Sequence, residues 1–171
     1  VKRLLIVDDE APALHALRRL LQRHFTPQQL RVELCTDPLQ ALQRLLETRF
    51  DVLISDYRMP HMDGIMLLAR ARELDPRTVR MMLSAASEFG TVLAAVNQAG
   101  IFRYIPKPWS EADLLSELRA ALVFNPSVVP NSAELELRRL EALEPGITQV
   151  EWGPNGEVLM PGDLQTRPSD L

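Results

Sequence analysis

Short apolar runs alternate with segments of helical period along residues 3–123. A brief apolar run bounded by polar residues suits a buried strand, whereas apolar residues at i, i+3 and i+4 suit a helix. The first run, about 3–7, contains Leu4-Leu5-Ile6-Val7, and the helix after it, about 11–24, carries Leu14, Leu17, Leu20 and Leu21. A second strand at about 31–35 leads to a helix that starts near Asp37-Pro38 and uses Leu39, Leu42, Leu45 and Leu46. The third strand, about 51–55, precedes a helix at about 64–74 with Met66, Leu67 and Ala71 facing inward. Val79-Arg80-Met81-Met82-Leu83 forms the fourth strand, and the next helix, about 87–99, ends at Gly100, which suits a C′ glycine. The fifth strand is about 102–105. The last helix of the series begins at Ser110, with Asp113 three residues on as a variant capping box, and runs to about Val123.

Five strand–helix units in strict alternation predict an α/β fold with a parallel sheet covered by helices on both faces. Five strands are too few for a closed eight-stranded barrel, so the expected architecture is an open doubly wound sheet. Right-handed crossovers then leave few topologies. In such sheets a ligand sits beyond the carboxyl ends of the strands, beside the switch point.

The pattern changes at Asn125-Pro126, with six of the thirteen prolines from Pro126 onward. The expected organisation is a domain over 1–124, a linker over 125–131, an extension over 132–160 and a disordered tail over 161–171. Ser132 suits the cap of a short helix to about Leu143, with Glu134 and Arg138 as an i,i+4 pair. Asn155-Gly156 between alternating runs predicts a hairpin that pairs Trp152 with Leu159. An isolated hairpin is marginal in water, so helix and hairpin are expected to dock on the domain or on a second copy. An exposed Trp152 would otherwise be a liability.

Composition narrows the function. The 171 residues are 46% hydrophobic and 25% charged, as in soluble globular proteins. Residues 1–126 hold 16 basic and 15 acidic side chains, and residues 127–171 hold 3 and 8, which gives the tail a net charge of −5. No basic stripe exists to neutralise phosphates, and aromatic content is only 5%, so no nucleic acid is an expected partner of this chain. No apolar run approaches the ~20 residues of a membrane span. Cys35 is the only cysteine, so no intrachain disulfide forms, and it reads as a buried small hydrophobe; a cytoplasmic location fits both facts. The chain begins with Val1 rather than methionine, which suits a trimmed N-terminus or a fragment.

Chemistry concentrates where the strands end. Asp8 and Asp9 follow the first strand, Asp56 follows Val52-Leu53-Ile54-Ser55, and Lys107 follows the fifth strand. Three carboxylates at one sheet edge repel one another unless a divalent cation sits among them, and oxygen ligands suit Mg²⁺. A carboxylate there can act as a nucleophile toward phosphorus and form an acyl phosphate. Read singly, each residue also has a structural role. Asp9 or Glu10 equally suits capping the next helix, and Asp56 suits an ordinary turn. Met59-Pro60 and Met62-Asp63-Gly64 constrain a loop that can aim the Arg58 carbonyl at a metal. Lys107 is one of two lysines against seventeen arginines, and it stands between Pro106 and Pro108, which suggests a need for a compact ammonium. Pro108 also opens the option of a cis Lys107-Pro108 bond. Ser84, before Ala85-Ala86, can hydrogen-bond a phosphoryl oxygen or merely lead into the next helix. Tyr104 suits either plain core or a reporter of conformational state. His15, His24 and His61 lack metal-ligand spacing and are expected on solvated surfaces.

Taken together, Leu4-Leu5-Ile6-Val7-Asp8-Asp9-Glu10, the block from Ser55 to Gly64, Leu83-Ser84-Ala85 and Tyr104-Ile105-Pro106-Lys107-Pro108 resemble the receiver domain of two-component response regulators over residues 3–123. The resemblance implies the flavodoxin-like strand order 2-1-3-4-5. It implies that Asp56 accepts a phosphoryl group from a sensor histidine kinase or phosphotransfer protein, and that Asp8, Asp9, Asp56 and the Arg58 carbonyl hold Mg²⁺. Ser84 and Lys107 would contact the phosphoryl group. Ser84 and Tyr104 would move together as the switch and remodel the face made by the fourth helix, fifth strand and last helix. The output would pass to a protein partner, an effector domain or a second copy. Lys107-Pro108-Trp109 is also similar to receivers joined to cyclic-dinucleotide phosphodiesterases. No DNA-binding helix-turn-helix or recognisable enzyme domain follows residue 125.

The expected function is therefore a phosphoacceptor switch in bacterial phosphorelay signalling, with at most slow autodephosphorylation, rather than an enzyme. The alternative is a Mg²⁺-dependent phosphohydrolase with an aspartyl-phosphate intermediate. Against it, such haloacid-dehalogenase-like enzymes place an Asp-x-Asp motif after the first strand, whereas the candidate nucleophile here follows the third. A scaffold that is never phosphorylated fits poorly with the complete acidic set and Lys107.

Overall fold

The computed structural model describes residues 1–85, 96–126, 132–143, 145, 151–152 and 158–159. In chain order the elements are β1 (Lys2–Val7), α1 (Ala11–His24), β2 (Leu30–Cys35), α2 (Pro38–Glu47), β3 (Val52–Asp56), α3 (Gly64–Leu74), β4 (Val79–Ala85), β5 (Arg103–Lys107), α4 (Glu111–Val123) and α5 (Ser132–Leu143), then the short strands β6 (Glu151–Trp152) and β7 (Val158–Leu159). Residues 96–99 are also helical. β1 to β5 form one sheet in the order β2-β1-β3-β4-β5, as the resemblance to receiver domains implies, and parallel at every pairing, as the strand–helix alternation predicts.

The central strands β1, β3 and β4 read as mainly apolar runs because both faces of the sheet are covered there, whereas the edge strands β2 and β5 include Arg31, Glu33, Arg103 and Lys107. On one face Leu4, Ile6, Ile54, Met81, Leu83 and Ile105 pack against Leu14, Leu17 and Leu21 of α1 and Leu114, Leu118 and Ala121 of α4. On the other, Leu5, Val7, Leu53, Met82 and Tyr104 pack against Ala41 of α2, Leu67, Leu68 and Ala71 of α3, and Val96 and Ala99. Local signals set the helix starts. Asp37, Asp63 and Ser110 each accept a first-turn backbone N–H, from Leu39, Met66 and Asp113 respectively. Gly100 takes φ 56 after the helical residues 96–99, the left-handed conformation that only glycine adopts without cost.

Three expected inward positions face solvent instead. Met66 is 50% exposed, Leu39 54% and Leu46 71%. Ile65-Met66-Leu67-Leu68 is a run of apolar residues on a helix with 3.6 residues per turn, so not all four can face the sheet. In α2, Leu42 and Leu45 pack on the core and turn Leu39 and Leu46 outward.

Arg80 lies within apolar β4, yet its side chain is buried at 6% exposure. Its guanidinium donates to the carbonyls of Thr78 (2.6 Å), Ala99 (2.8 Å), Gly100 (3.1 Å) and Pro76 (3.3 Å). Arg80 thus ties the start of β4 to the end of the helical turn at 96–99. Burial, helped by the charge of Arg72, lowers its pKa to about 10, which leaves it charged at neutral pH.

The extension docks through α5, as its sequence suggests. Leu140 is buried and Leu137 packs on the same core face as Tyr104. Glu136, one residue before Leu137 and four before Leu140, is fully buried. The hairpin forms in a different register, with Trp152 opposite Val158 and Glu151 opposite Leu159. The expected Trp152–Leu159 pair is thus shifted by one residue, and the turn expected at Asn155-Gly156 lies outside the described residues. The expected docking of the Trp152 side chain, most of the linker, and the tail over 161–171 lie outside the described residues.

Candidate functional site

The strand register brings the acidic residues together. Val7 pairs with Ser55, Asp56 with Leu83, and Ala85 with Lys107, so the carboxyl ends of β1, β3, β4 and β5 share one rim. Asp8 follows β1 and is 2% exposed; Asp56 ends β3 at 7%. Asp9 is exposed. One carboxylate oxygen from each of Asp8, Asp9 and Asp56 falls within 4.8 Å of the others. These hard oxygen donors on a rim open to solvent fit Mg²⁺, which takes one or two carboxylates and retains water.

Lys107 Nζ donates to Asp56 Oδ1 and, at 3.4 Å, to Asp8 Oδ2. The Lys107-Pro108 bond is cis. Burial opposes the Lys107 ammonium, but the bond to Asp56 and the charges of Asp56 and Asp8 outweigh it, so its pKa rises. For Asp56, burial dominates and raises the carboxyl pKa, with Asp8 adding to it. The bond and charge of Lys107 and the Arg58 backbone N–H only partly offset the rise. Excess negative charge at Asp56 is therefore incompletely compensated by the protein alone, which is the state a divalent cation relieves.

The loop after β3 is locked to the site. Gly64 N–H donates to the Tyr57 carbonyl at 2.8 Å, and Met62 N–H to the Pro60 carbonyl at 2.8 Å. His61 adopts φ 69, uncommon for a residue with a Cβ. A Cβ added to Gly64 would lie 2.1 Å from the Asp56 carbonyl oxygen. Gly64→Ala is therefore expected to displace the end of β3. It should lower stability by about 1–3 kcal/mol in urea unfolding and weaken Mg²⁺ binding in the same samples. An unchanged unfolding midpoint would contradict the packing.

Ser84 is buried beside this rim, and its hydroxyl lies 3.5 Å from the Ala85 carbonyl. The Tyr104 hydroxyl donates to that same Ala85 carbonyl at 3.3 Å while its ring is buried in the core. His15, His24 and His61 are all exposed, as their spacing suggests. Cys35 is buried, and burial pushes its thiol pKa up, which suits packing rather than reactivity. Two details escape a reading of the sequence: the close approach of Gly64 to the Asp56 carbonyl, and Glu136, whose carboxylate reaches β5 from outside the sheet. Among the described residues no helix is long and apolar enough to cross a membrane.

Comparison with known proteins agrees with this geometry. The profile of the response regulator receiver domain matches residues 4–119. The chain is 38% identical over 120 residues to the hydrogenase transcriptional regulatory protein HoxA of Bradyrhizobium diazoefficiens, covering 70% of this chain and 24% of that one. It is 32% identical over 154 residues to the regulatory protein AtoC of Escherichia coli, covering 90% of this chain and 30% of that one. The chain thus spans about a quarter of the length of the hydrogenase regulator it matches. Among solved structures, the signal receiver domain of an HD domain-containing protein from Pseudomonas fluorescens superposes with a TM-score of 0.65 at 36% identity, over 71% of this chain and 94% of that one. Nothing in these likenesses favours a phosphohydrolase.

Proposed function

This chain belongs to the response regulator receiver domain family, and on that premise we propose that Asp56 accepts a phosphoryl group in a Mg²⁺-dependent reaction and that the domain over 1–124 converts this into a protein–protein signal. One observation carries the assignment. Asp56 is the member of the acidic cluster that ends a central strand, is buried, and is held by Lys107.

In the transfer, an Asp56 carboxylate oxygen bonds to phosphorus as the bond from phosphorus to the donor breaks. With a phosphohistidine donor the leaving group is an imidazole, which takes up a proton; with acetyl phosphate it is acetate. Asp8 and Asp9, with Asp56 and the Arg58 carbonyl, would hold the metal, whose positive charge reduces repulsion between carboxylate and phosphoryl oxygens. Lys107 orients Asp56 beforehand and then balances charge on the phosphoryl group. Ser84 supplies a hydroxyl for a phosphoryl oxygen from the end of β4. The donor is a sensor histidine kinase or a phosphotransfer protein, and the site lies in the cytoplasm. Asp56 serves as a switch rather than as a turnover nucleophile.

Incubation with Mg²⁺ and acetyl phosphate is expected to give one phosphoryl group per chain by intact mass. Continuous phosphate release without a lasting adduct would instead favour the phosphohydrolase. The metal half of the reading has its own reporter. Lys107 Nζ lies 5.9 Å from the centroid of the Trp109 ring, so cation binding that redirects Lys107 should change Trp109 fluorescence. In a Trp152→Phe background, Mg²⁺ should shift that emission. Asp9→Asn, on an exposed position, should raise the apparent Kd about tenfold or more. Equal affinity in both proteins would remove Asp9 from the metal site.

A further inference from the structure

Among the described residues β5 is an edge strand, paired only with β4. Exposed edges offer unpaired backbone groups to other chains, and native proteins cover or blunt them. Here the Tyr104 N–H points off the free edge and donates to Glu136 Oε1 of α5 at 3.0 Å. Arg103, the preceding residue on β5, donates to Glu136 Oε2 at 3.0 Å and to Glu117 of α4 at 2.6 Å. Arg139 closes the set, donating to Glu136 Oε1 at 3.0 Å and to Glu117 at 3.3 Å. Glu136 itself is 0% exposed. A fully buried carboxylate is costly unless its charge and lone pairs are met, so its presence marks a specific contact rather than generic packing.

β5 also joins this contact to Asp56. Lys107, at the end of the strand, holds the Asp56 and Asp8 carboxylates. Tyr104, three residues earlier, is tied at its hydroxyl to Ala85, next to Ser84, and at its backbone to Glu136. A phosphoryl group that draws Lys107 and Ser84 toward itself moves the ends of β5 and β4, and Tyr104 is fixed to both. We propose that the free edge of β5 is a docking surface whose resident ligand is this chain's own α5, held by the Glu136 carboxylate, and that phosphorylation of Asp56 releases it. The inference rests on Asp56 as the phosphoacceptor. It adds what covers the edge at rest and what leaves it. Release uncovers the Tyr104 N–H, Arg103 and the apolar stripe of Leu137 and Leu140, which is the form that a partner can read.

Amide hydrogen exchange of the full chain, with and without Mg²⁺ and beryllofluoride, tests it, with fluorine NMR reporting the adduct independently. The expected result is an adduct together with exchange about tenfold or more faster at Tyr104 and across α5, while β1 and β3 stay protected. An adduct with unchanged protection at Tyr104 and α5 overturns the latch and leaves the phosphoacceptor standing. Absence of an adduct overturns both. Glu136→Lys places a cation against Arg103 and Arg139, so it should free α5 without beryllofluoride. By linkage, this variant should bind beryllofluoride about tenfold more tightly than the wild type. A freed α5 with unchanged beryllofluoride affinity overturns the coupling, and an α5 that stays protected in the variant overturns the role of Glu136.

Discussion

Asp56→Asn is expected to lose phosphoryl acceptance from acetyl phosphate by roughly a thousandfold or more, as removal of a nucleophile does elsewhere. The amide keeps the volume of the carboxylate, so the fold and the Asp8–Lys107 contact remain, but its nitrogen and oxygen are poor nucleophiles toward phosphorus. Intact mass with Mg²⁺ and acetyl phosphate reads the effect directly, and an adduct equal to that of the wild type would remove Asp56 from the chemistry. Stability should move the other way. Burial and the nearby Asp8 raise the Asp56 pKa. A group whose folded pKa is raised contributes stability below its ordinary value and loses it as pH rises through the folded value. At neutral pH the wild-type carboxylate is therefore a cost, and Asp56→Asn should melt higher. The gap should close as pH falls through the raised carboxyl pKa, and Mg²⁺ should stabilise the wild type more than the variant at neutral pH.

The largest expected loss of stability is at Arg80. Met matches the length of the arginine stem and leaves an apolar chain in a buried slot, but it donates nothing. Four carbonyls, those of Pro76, Thr78, Ala99 and Gly100, then lose a charged donor in the interior. Unmet buried acceptors cost about 1–3 kcal/mol each before relaxation, so a net loss of roughly 3–5 kcal/mol is expected for Arg80→Met. Two of those carbonyls belong to the end of the 96–99 helical turn, where a cation also favours the helix dipole. Urea unfolding followed by circular dichroism measures the loss. A change under about 1 kcal/mol, within the range of ordinary surface substitutions, would show that water or neighbouring donors replace the guanidinium.

What the sequence discloses, and what it hides, follows from the range of the interactions. The strand–helix alternation and the rim of Asp8, Asp9, Asp56 and Lys107 are legible because these residues follow apolar runs and a parallel sheet puts every such position at one edge, whereas the strand order comes only from the resemblance to receiver domains. Helix starts at Asp37 and Ser110 are legible because capping is local. The orientation of Met66 is not, because four apolar residues in a row offer a helix more than one inward face. Leu39 and Leu46 mislead for the same reason: helical period identifies a stripe, and only the neighbouring elements decide which edge of it is covered. Glu136 is invisible to local reading. Its partner Tyr104 is 32 residues away, and a glutamate among Glu134, Arg138 and Arg139 looks like one member of a solvated face. Arg80 shows the converse, a charged residue in an apolar strand that reads as an interruption until the carbonyls around it are seen. The hairpin register departs from the expected one because Asn-Gly marks a turn without fixing how many residues the loop takes.

Trapping the acyl phosphate identifies the phosphoacceptor residue itself. After reaction with acetyl phosphate and Mg²⁺, borohydride reduces an aspartyl phosphate to homoserine, and peptide mapping locates the product. Homoserine is expected at position 56 alone, dependent on Mg²⁺. Homoserine at Asp8 or Asp9, or none at any aspartate despite a phosphoryl adduct, would contradict the assignment of Asp56.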